Sequence, residues 1–124
     1  MMEDRYLFRG KDVKSNLFVI GFYSACPEGI PEDGITLLHY ITDINNNVFV
    51  VYPETVGQCT GLKDKNGKPI FEHDICVDSL SNKFTVVWDN ENARFIGKSK
   101  DCIYYIGKEP TVTIIGNTHE NKET

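Results

Sequence analysis

Glu72 and Asp74 are the carboxylates whose spacing invites a chemical reading. The segment Ile70 to Asp78 alternates, with Ile70, Glu72, Asp74 and Cys76 on one side and Phe71, His73, Ile75 and Val77 on the other. Read as one strand, it puts Glu72 and Asp74 on a shared face. Paired carboxylates serve acid/base or metal-assisted chemistry. A hydrolase of that kind needs Glu72, Asp74 and His73 gathered in a cleft around a metal. The rest of the chain does not complete such a constellation. His39, His73 and His119 are far apart in sequence. Ser24 with Cys26, or Cys59 with His73, could pair as nucleophile and base, but neither lies in a nucleophile turn. There is no phosphate-binding loop and no dinucleotide fingerprint. The four cysteines, Cys26, Cys59, Cys76 and Cys102, are widely spaced without a Cys-x-x-Cys pair. Zinc sites normally show closely paired ligands, and His73 with Cys76 has no second pair to join. The expectation is a non-enzymatic protein with no metal and no cofactor.

Residues suited to binding are more plentiful. Thr60 to Lys68 reads Thr-Gly-Leu-Lys-Asp-Lys-Asn-Gly-Lys. Its ordered Lys63, Asp64, Lys65 and Asn66 offer donors and acceptors to a partner on a loop held by rigid strands. The competing account is structural. Thr60-Gly61 and Asn66-Gly67 then form turns that fix strand register, the charges solvate the loop, and Glu72 and Asp74 cap backbone N–H groups. Trp88 could line a peptide or nucleotide groove, although closing the core is the favoured role for a lone Trp in a small β domain. Arg94 and Phe95 point to opposite sides of their strand, so Arg94 can pair with Asp89 or with a ligand. The candidate binding set is Lys63, Asp64, Lys65, Asn66, Glu72, Asp74, Trp88 and Arg94.

The elements that must position these residues are short strands. The chain has 124 residues, 40% hydrophobic and 25% charged, which fits one domain or two small lobes. Arg5 to Arg9 reads as a first strand and Gly10 to Ser15 as a polar turn. Asn16 to Ser24 is rich in β-branched and aromatic residues, and Gly21 within it hints at a bulge or close backbone approach. Cys26 to Gly34, with two prolines and two glycines, reads as a loop. Ile35 to Thr42 and Val48 to Tyr52 form a hairpin through Asp43 to Asn47. Pro53 to Val56 predicts a brief helical turn. Asn66-Gly67 predicts a tight turn, because both residues accept positive φ. Lys83 to Trp88, Ala93 to Gly97, Asp101 to Ile106 and Thr111 to Gly116 complete the strands. This spacing predicts a small antiparallel barrel or sandwich. Cys76 and Cys102 lie in apolar runs and read as core residues with free thiols. The tail, 119–124, is polar and expected to fray.

Charge and hydropathy narrow the partner. The formal net charge is -5. Between Lys14 and Lys63 there is no Lys or Arg, whereas Glu28, Glu32, Asp33, Asp43 and Glu54 all fall there. DNA binding draws on neutralised phosphates, so this half is a poor nucleic-acid surface, and a protein partner is expected. The alternative is a nucleic-acid-binding module using the basic residues of the C-terminal half. No apolar run approaches the roughly 20 residues that cross a bilayer. The first residues lack the apolar segment of an export signal, so a cytoplasmic protein with no membrane contact is expected.

Val51 to Ile75 carries a longer pattern: Val-Tyr-Pro-Glu-Thr-Val-Gly-Gln-Cys-Thr-Gly-Leu-Lys-Asp-Lys-Asn-Gly-Lys-Pro-Ile-Phe-Glu-His-Asp-Ile. It resembles the signature of the YopX family. Leu7-Phe-Arg-Gly-Lys11, Val86-Val-Trp-Asp-Asn-Glu-Asn-Ala-Arg-Phe95 and Ile114-Ile-Gly-Asn-Thr-His-Glu-Asn121 resemble further family segments in the same order. The resemblance implies a mainly β fold encoded by a bacteriophage, prophage or mobile element, with no established biochemical activity and no catalytic residues to carry over. It implies an N-terminal β-rich lobe, 1–57, and a small SH3-like antiparallel barrel, 58–118. His73 departs from the family pattern, which prefers Gly there, and Cys59 stands where an aromatic is usual. If that Gly serves a positive φ, His73 bears a steric cost. The family's usual Pro after Asn121 is missing. Exposed strand edges make a homo-oligomer plausible. The expected function is that of an accessory protein acting by binding.

Overall fold

The computed structural model describes residues 4–27, 37–107 and 111–120. It is mainly β, as the strand-rich sequence predicts. Eleven strands are described: β1 Phe8–Lys11, β2 Phe18–Pro27, β3 Leu37–Thr42, β4 Val48–Val51, β5 Gly57–Lys63, β6 Pro69–Phe71, β7 Asp74–Val77, β8 Lys83–Asp89, β9 Arg94–Lys98, β10 Ile103–Tyr104 and β11 Thr113–Asn117. Every pairing is antiparallel. The chain divides into two compact units, Tyr6–Gln58 and Cys59–Thr124 with Met1–Arg5. Among the described residues no helix is long and apolar enough to cross a membrane.

In the first unit the strands run β4-β3-β2-β1, and the first residues of β5 pair with β1. Gly21 sits opposite Phe8. A Cβ at Gly21 would lie 2.0 Å from the carbonyl oxygen of Thr42, so the close approach hinted at by a glycine inside an apolar strand is real. Ile41 and Val51 are buried here. Pro53–Thr55 forms the expected helical turn, of the 3-10 type. Thr55 Oγ1 accepts the Lys11 N–H at 2.9 Å and donates to the Tyr52 carbonyl at 2.6 Å. That buried hydroxyl ties the turn to β1.

The second unit is a five-stranded sheet, β10-β9-β8-β7-β11, with a ribbon of β5 and β6. Among the described strands the sheet has two different ends, so its pairing is open and not that of a closed barrel. Period-two alternation builds the core: Phe84 and Val86 of β8 and Cys76 of β7 point inward with Ile70 and Val112. Leu62, Phe95, Tyr104, Ile106 and Ile114 pack around them.

Several expectations change. Ile70 to Asp78 is not one strand. β6 pairs with β5 and β7 pairs with β8 and β11, and Glu72-His73 turns the chain between them. Glu72 and Asp74 therefore do not share a strand face. Thr60-Gly61 is a bulged part of β5 and not a turn. The tight turn at Asn66-Gly67 is present, with positive φ at Gly67, 81°, and not at Asn66. The first strand lies three residues later than expected, because Asp4–Tyr6 forms a 3-10 turn. Cys102 is exposed and not a core residue. Of the expected Cys26 to Gly34 loop, β2 takes the start and 28–36 lie outside the described residues. His119 belongs to an ordered turn, its N–H donating to Asn117 Oδ1 at 2.8 Å. The rest of the expected tail, 121–124, lies outside the described residues.

Candidate functional site

The second unit's core opens at one end into a groove of about 380 Å3 lined by Thr60, Leu62, Trp88, Ala93, Arg94, Phe95, Tyr105 and Ile106. Its origin lies in the β8 alternation. Phe84, Val86 and Trp88 share one face, but only the first two are covered. Trp88 is 44% exposed. It is thus not the core-closing residue that a lone Trp suggests. Register places Phe95 directly across from it. The two rings meet edge to face, with centroids 5.0 Å apart and planes at 70°, a favourable aromatic geometry. Leu62, on the bulged part of β5, and Ile106, just past β10, complete the apolar floor. Both also pack against the buried core.

The rim is held by short-range chemistry. Arg94 Cζ lies 4.6 Å from the centre of the Tyr105 ring, and its Nε is 3.6 Å from Asp89 Oδ2. Of the two partners the sequence leaves open to Arg94, Asp89 or a ligand, Asp89 is in contact. Asp89 is itself fixed, accepting the Asn92 amide at 2.9 Å and the Glu91 N–H at 3.2 Å. The bond from Asn92 is the main cause that holds its carboxyl below the ordinary range. Asp89 is therefore an anion at neutral pH that orients the guanidinium. Trp88 Nε1 donates to Asn90 Oδ1 at 3.3 Å, in the same turn.

The other candidates fall into two groups. Lys63, Asp64, Lys65 and Asn66 belong to the β5–β6 hairpin. Lys63 Nζ pairs with Asp4 Oδ2 at 2.7 Å, and that hydrogen bond raises its pKa. Lys65 and Asn66 have exposed side chains, while the Lys65 N–H donates to the Val112 carbonyl at 2.8 Å. Asp64 is only 1% exposed. Its Oδ1 accepts the N–H groups of Asn66 and Lys68, both at 2.9 Å, and its Oδ2 accepts that of Ile114 at 3.1 Å. Burial pushes its pKa up, but the N–H groups of Lys68, Ile114 and Asn66 outweigh it and leave the group below the ordinary range. This carboxylate is turned inward and engaged by backbone, so it presents no surface to a partner.

Glu72, His73 and Asp74 form the corner between β6 and β7. Asp74 is 1% exposed, and its Oδ2 accepts the Phe71 N–H at 2.8 Å. That is the backbone capping role the structural account assigns it. His73 has φ of 80°, the left-handed conformation that favours Gly. Its N–H donates to the Val86 carbonyl at 2.8 Å and its own carbonyl accepts from Thr118 at 3.0 Å. Its ring meets His119 edge to face at 4.8 Å, and its Nε2 is 4.0 Å from Glu72 Oε2. The cleft expected of a hydrolase is not assembled here, since Asp74 points inward. Among the described residues no three His, Cys, Asp or Glu side chains are placed to hold a metal. Burial raises the Cys59 thiol pKa and pushes that of Cys76 up to about 12, which keeps both as thiols and poor nucleophiles.

The structure therefore brings Trp88 and Arg94 together and separates them from Asp64 and Asp74. Sequence reasoning missed Leu62, Tyr105 and Ile106. The odd spacing Ile103, Tyr105 beside Tyr104, Ile106 gave the signal of two apolar faces, but not which face stays open. A family model described as YopX protein matches residues 7–124. No curated protein matches the chain.

Proposed function

The chain belongs to the YopX family, and from that premise we propose that it is a non-enzymatic accessory protein of a phage or mobile element that acts in the host cytoplasm by binding a protein partner. One observation carries the reading: the core of the second unit opens into a groove between the exposed Trp88 and Tyr105, with an oriented Arg94 at the rim. Concave, mostly apolar sites with few placed polar groups are the usual form of a binding site, and Trp, Tyr and Arg are the residues that dominate binding energy.

Lys63, Lys65, Lys68, Lys83, Arg94 and Trp88 would be the contacts of a nucleic-acid module. The net charge of -5 and the commitment of Lys63 to Asp4 weigh against it. Affinity capture from cells carrying the element, with wild type and Trp88→Ala side by side, tests the choice. A protein retained by wild type and lost from the variant is the expected result. Recovery of nucleic acid alone, with binding that falls steeply with salt, overturns it. Light scattering on the same samples reports any homo-oligomer.

A further inference from the structure

We infer that the groove takes an extended peptide of another protein in which an aliphatic or prolyl residue stands one or two positions from an Asp or Glu. This rests on the binding reading above and goes on to name the chemistry of the occupant. Arg94 is the one charged residue among the groove's lining residues. Its Nε is turned to Asp89 and its Cζ lies over the Tyr105 ring. No ion pair among the described residues engages its terminal nitrogens. A guanidinium so held is oriented in advance for a carboxylate, with little side-chain freedom left to lose on binding. Beside it, Leu62, Phe95 and Ile106 form a floor between two exposed aromatic walls, suited to one apolar side chain.

The backbone of the occupant also has a place. β10 ends the sheet and pairs with β9 alone among the described strands. Tyr105 and Ile106 follow it directly, so the groove lies at that edge. An extended segment can add to such an edge by main-chain hydrogen bonds while alternate side chains enter pockets. A single cation also decides against a nucleic-acid strand, whose binding draws on several neutralised phosphates. A second copy of this chain is disfavoured by its own negative balance.

Trp88 is the chain's sole tryptophan, so its fluorescence reports the groove directly. Random heptapeptides displayed on a carrier are selected against the full chain, and the enriched sequences are synthesised and titrated. The expected enrichment pairs an aliphatic or prolyl residue with Asp or Glu, and binding shifts Trp88 emission. Arg94→Gln then weakens binding about tenfold to a hundredfold with the melting temperature unchanged. Changing the peptide's acid to its amide gives the same loss, and the two changes together are not additive. Enrichment without a carboxylate, or indifference to Arg94→Gln, overturns this inference while the peptide-binding reading stands. Two results overturn both: no enrichment at all, or a dodecamer of thymidylate that quenches Trp88 more tightly than any peptide. A dimer that falls apart in Trp88→Ala makes the occupant a second copy and overturns the inference.

Discussion

The β3–β4 turn of the first unit and the β5–β6 turn of the second are built from the same local chemistry, yet they do different work. In each, an Asp accepts the N–H groups two and four residues ahead, and the residue before the last is left-handed. Asp43 takes Asn45 and Asn47, both at 2.9 Å, with Asn46 at φ 68°. Asp64 takes Asn66 and Lys68, with Gly67 at φ 81°. The difference lies in the second carboxylate oxygen. In the first turn it accepts the side-chain amide of Asn47 at 3.2 Å and the turn is locally complete. Asp78 repeats this with Asn82. In the second turn Lys68 stands where those Asn residues stand, and Oδ2 instead accepts the N–H of Ile114, fifty positions away. One side chain thus converts a local turn into a staple between the hairpin and β11.

The largest expected effect breaks that staple. Asp64→Ala removes a buried carboxylate and leaves the N–H groups of Asn66, Lys68 and Ile114 without it, and should cost about 3 kcal/mol, read by urea unfolding. Asp43→Ala, on a solvent-facing turn, should lower the midpoint by a small fraction of that. Equal effects would mean the two turns do the same work. Next comes the left-handed corner. His73→Gly relieves backbone strain of about 1 kcal/mol and gives up the ring contact with His119. A net rise in melting temperature is expected, and a fall would assign the contact more weight than the strain.

Acid titration sharpens the comparison further. Asp12, Asp43, Asp64, Asp78 and Asp89 all lie below the ordinary value of 3.8 in the folded chain. For each the unfolded chain binds protons first as pH falls. Their stabilisation is therefore complete above about pH 4 and is lost as pH drops through the folded values. Stability should be flat at neutral pH and fall below pH 4, with a shallower fall in Asp64→Asn. The smallest effect is expected at Lys63→Ala. Its pair with Asp4 is solvent-exposed, and such pairs contribute little, so no shift in the unfolding midpoint should be measurable.

Much of the fold was legible because strand alternation and turn residues act locally. The hairpin at Asp43 to Asn47, the turn at Pro53 and the close approach at Gly21 each follow from a few adjacent residues. The errors share a cause. Ile70 to Asp78 alternates like one strand because a two-residue corner preserves alternation of residue types while the pairing partners change. Gly21 announced its neighbour, but Asp64 looked like a surface charge and the depth of Asp74 was not foreseen, since nothing within a few residues says that a carboxylate will be buried. Backbone donors, those of Ile114 and Phe71 among them, make that burial tolerable. Cys102 lay in an apolar run at a sheet end, where half the run stays outside.

The sequence by itself determined a mainly β chain, several of its turns and its family. These depend on residues close together in the chain, where sterics and short hydrogen bonds leave few choices. Tertiary structure alone decided which carboxylates face inward and that Trp88 is left open above Leu62, Phe95 and Ile106. Those outcomes turn on which strand ends the sheet and where a bulge in β5 sends one side chain, and such long-range contacts have no signature in neighbouring residues.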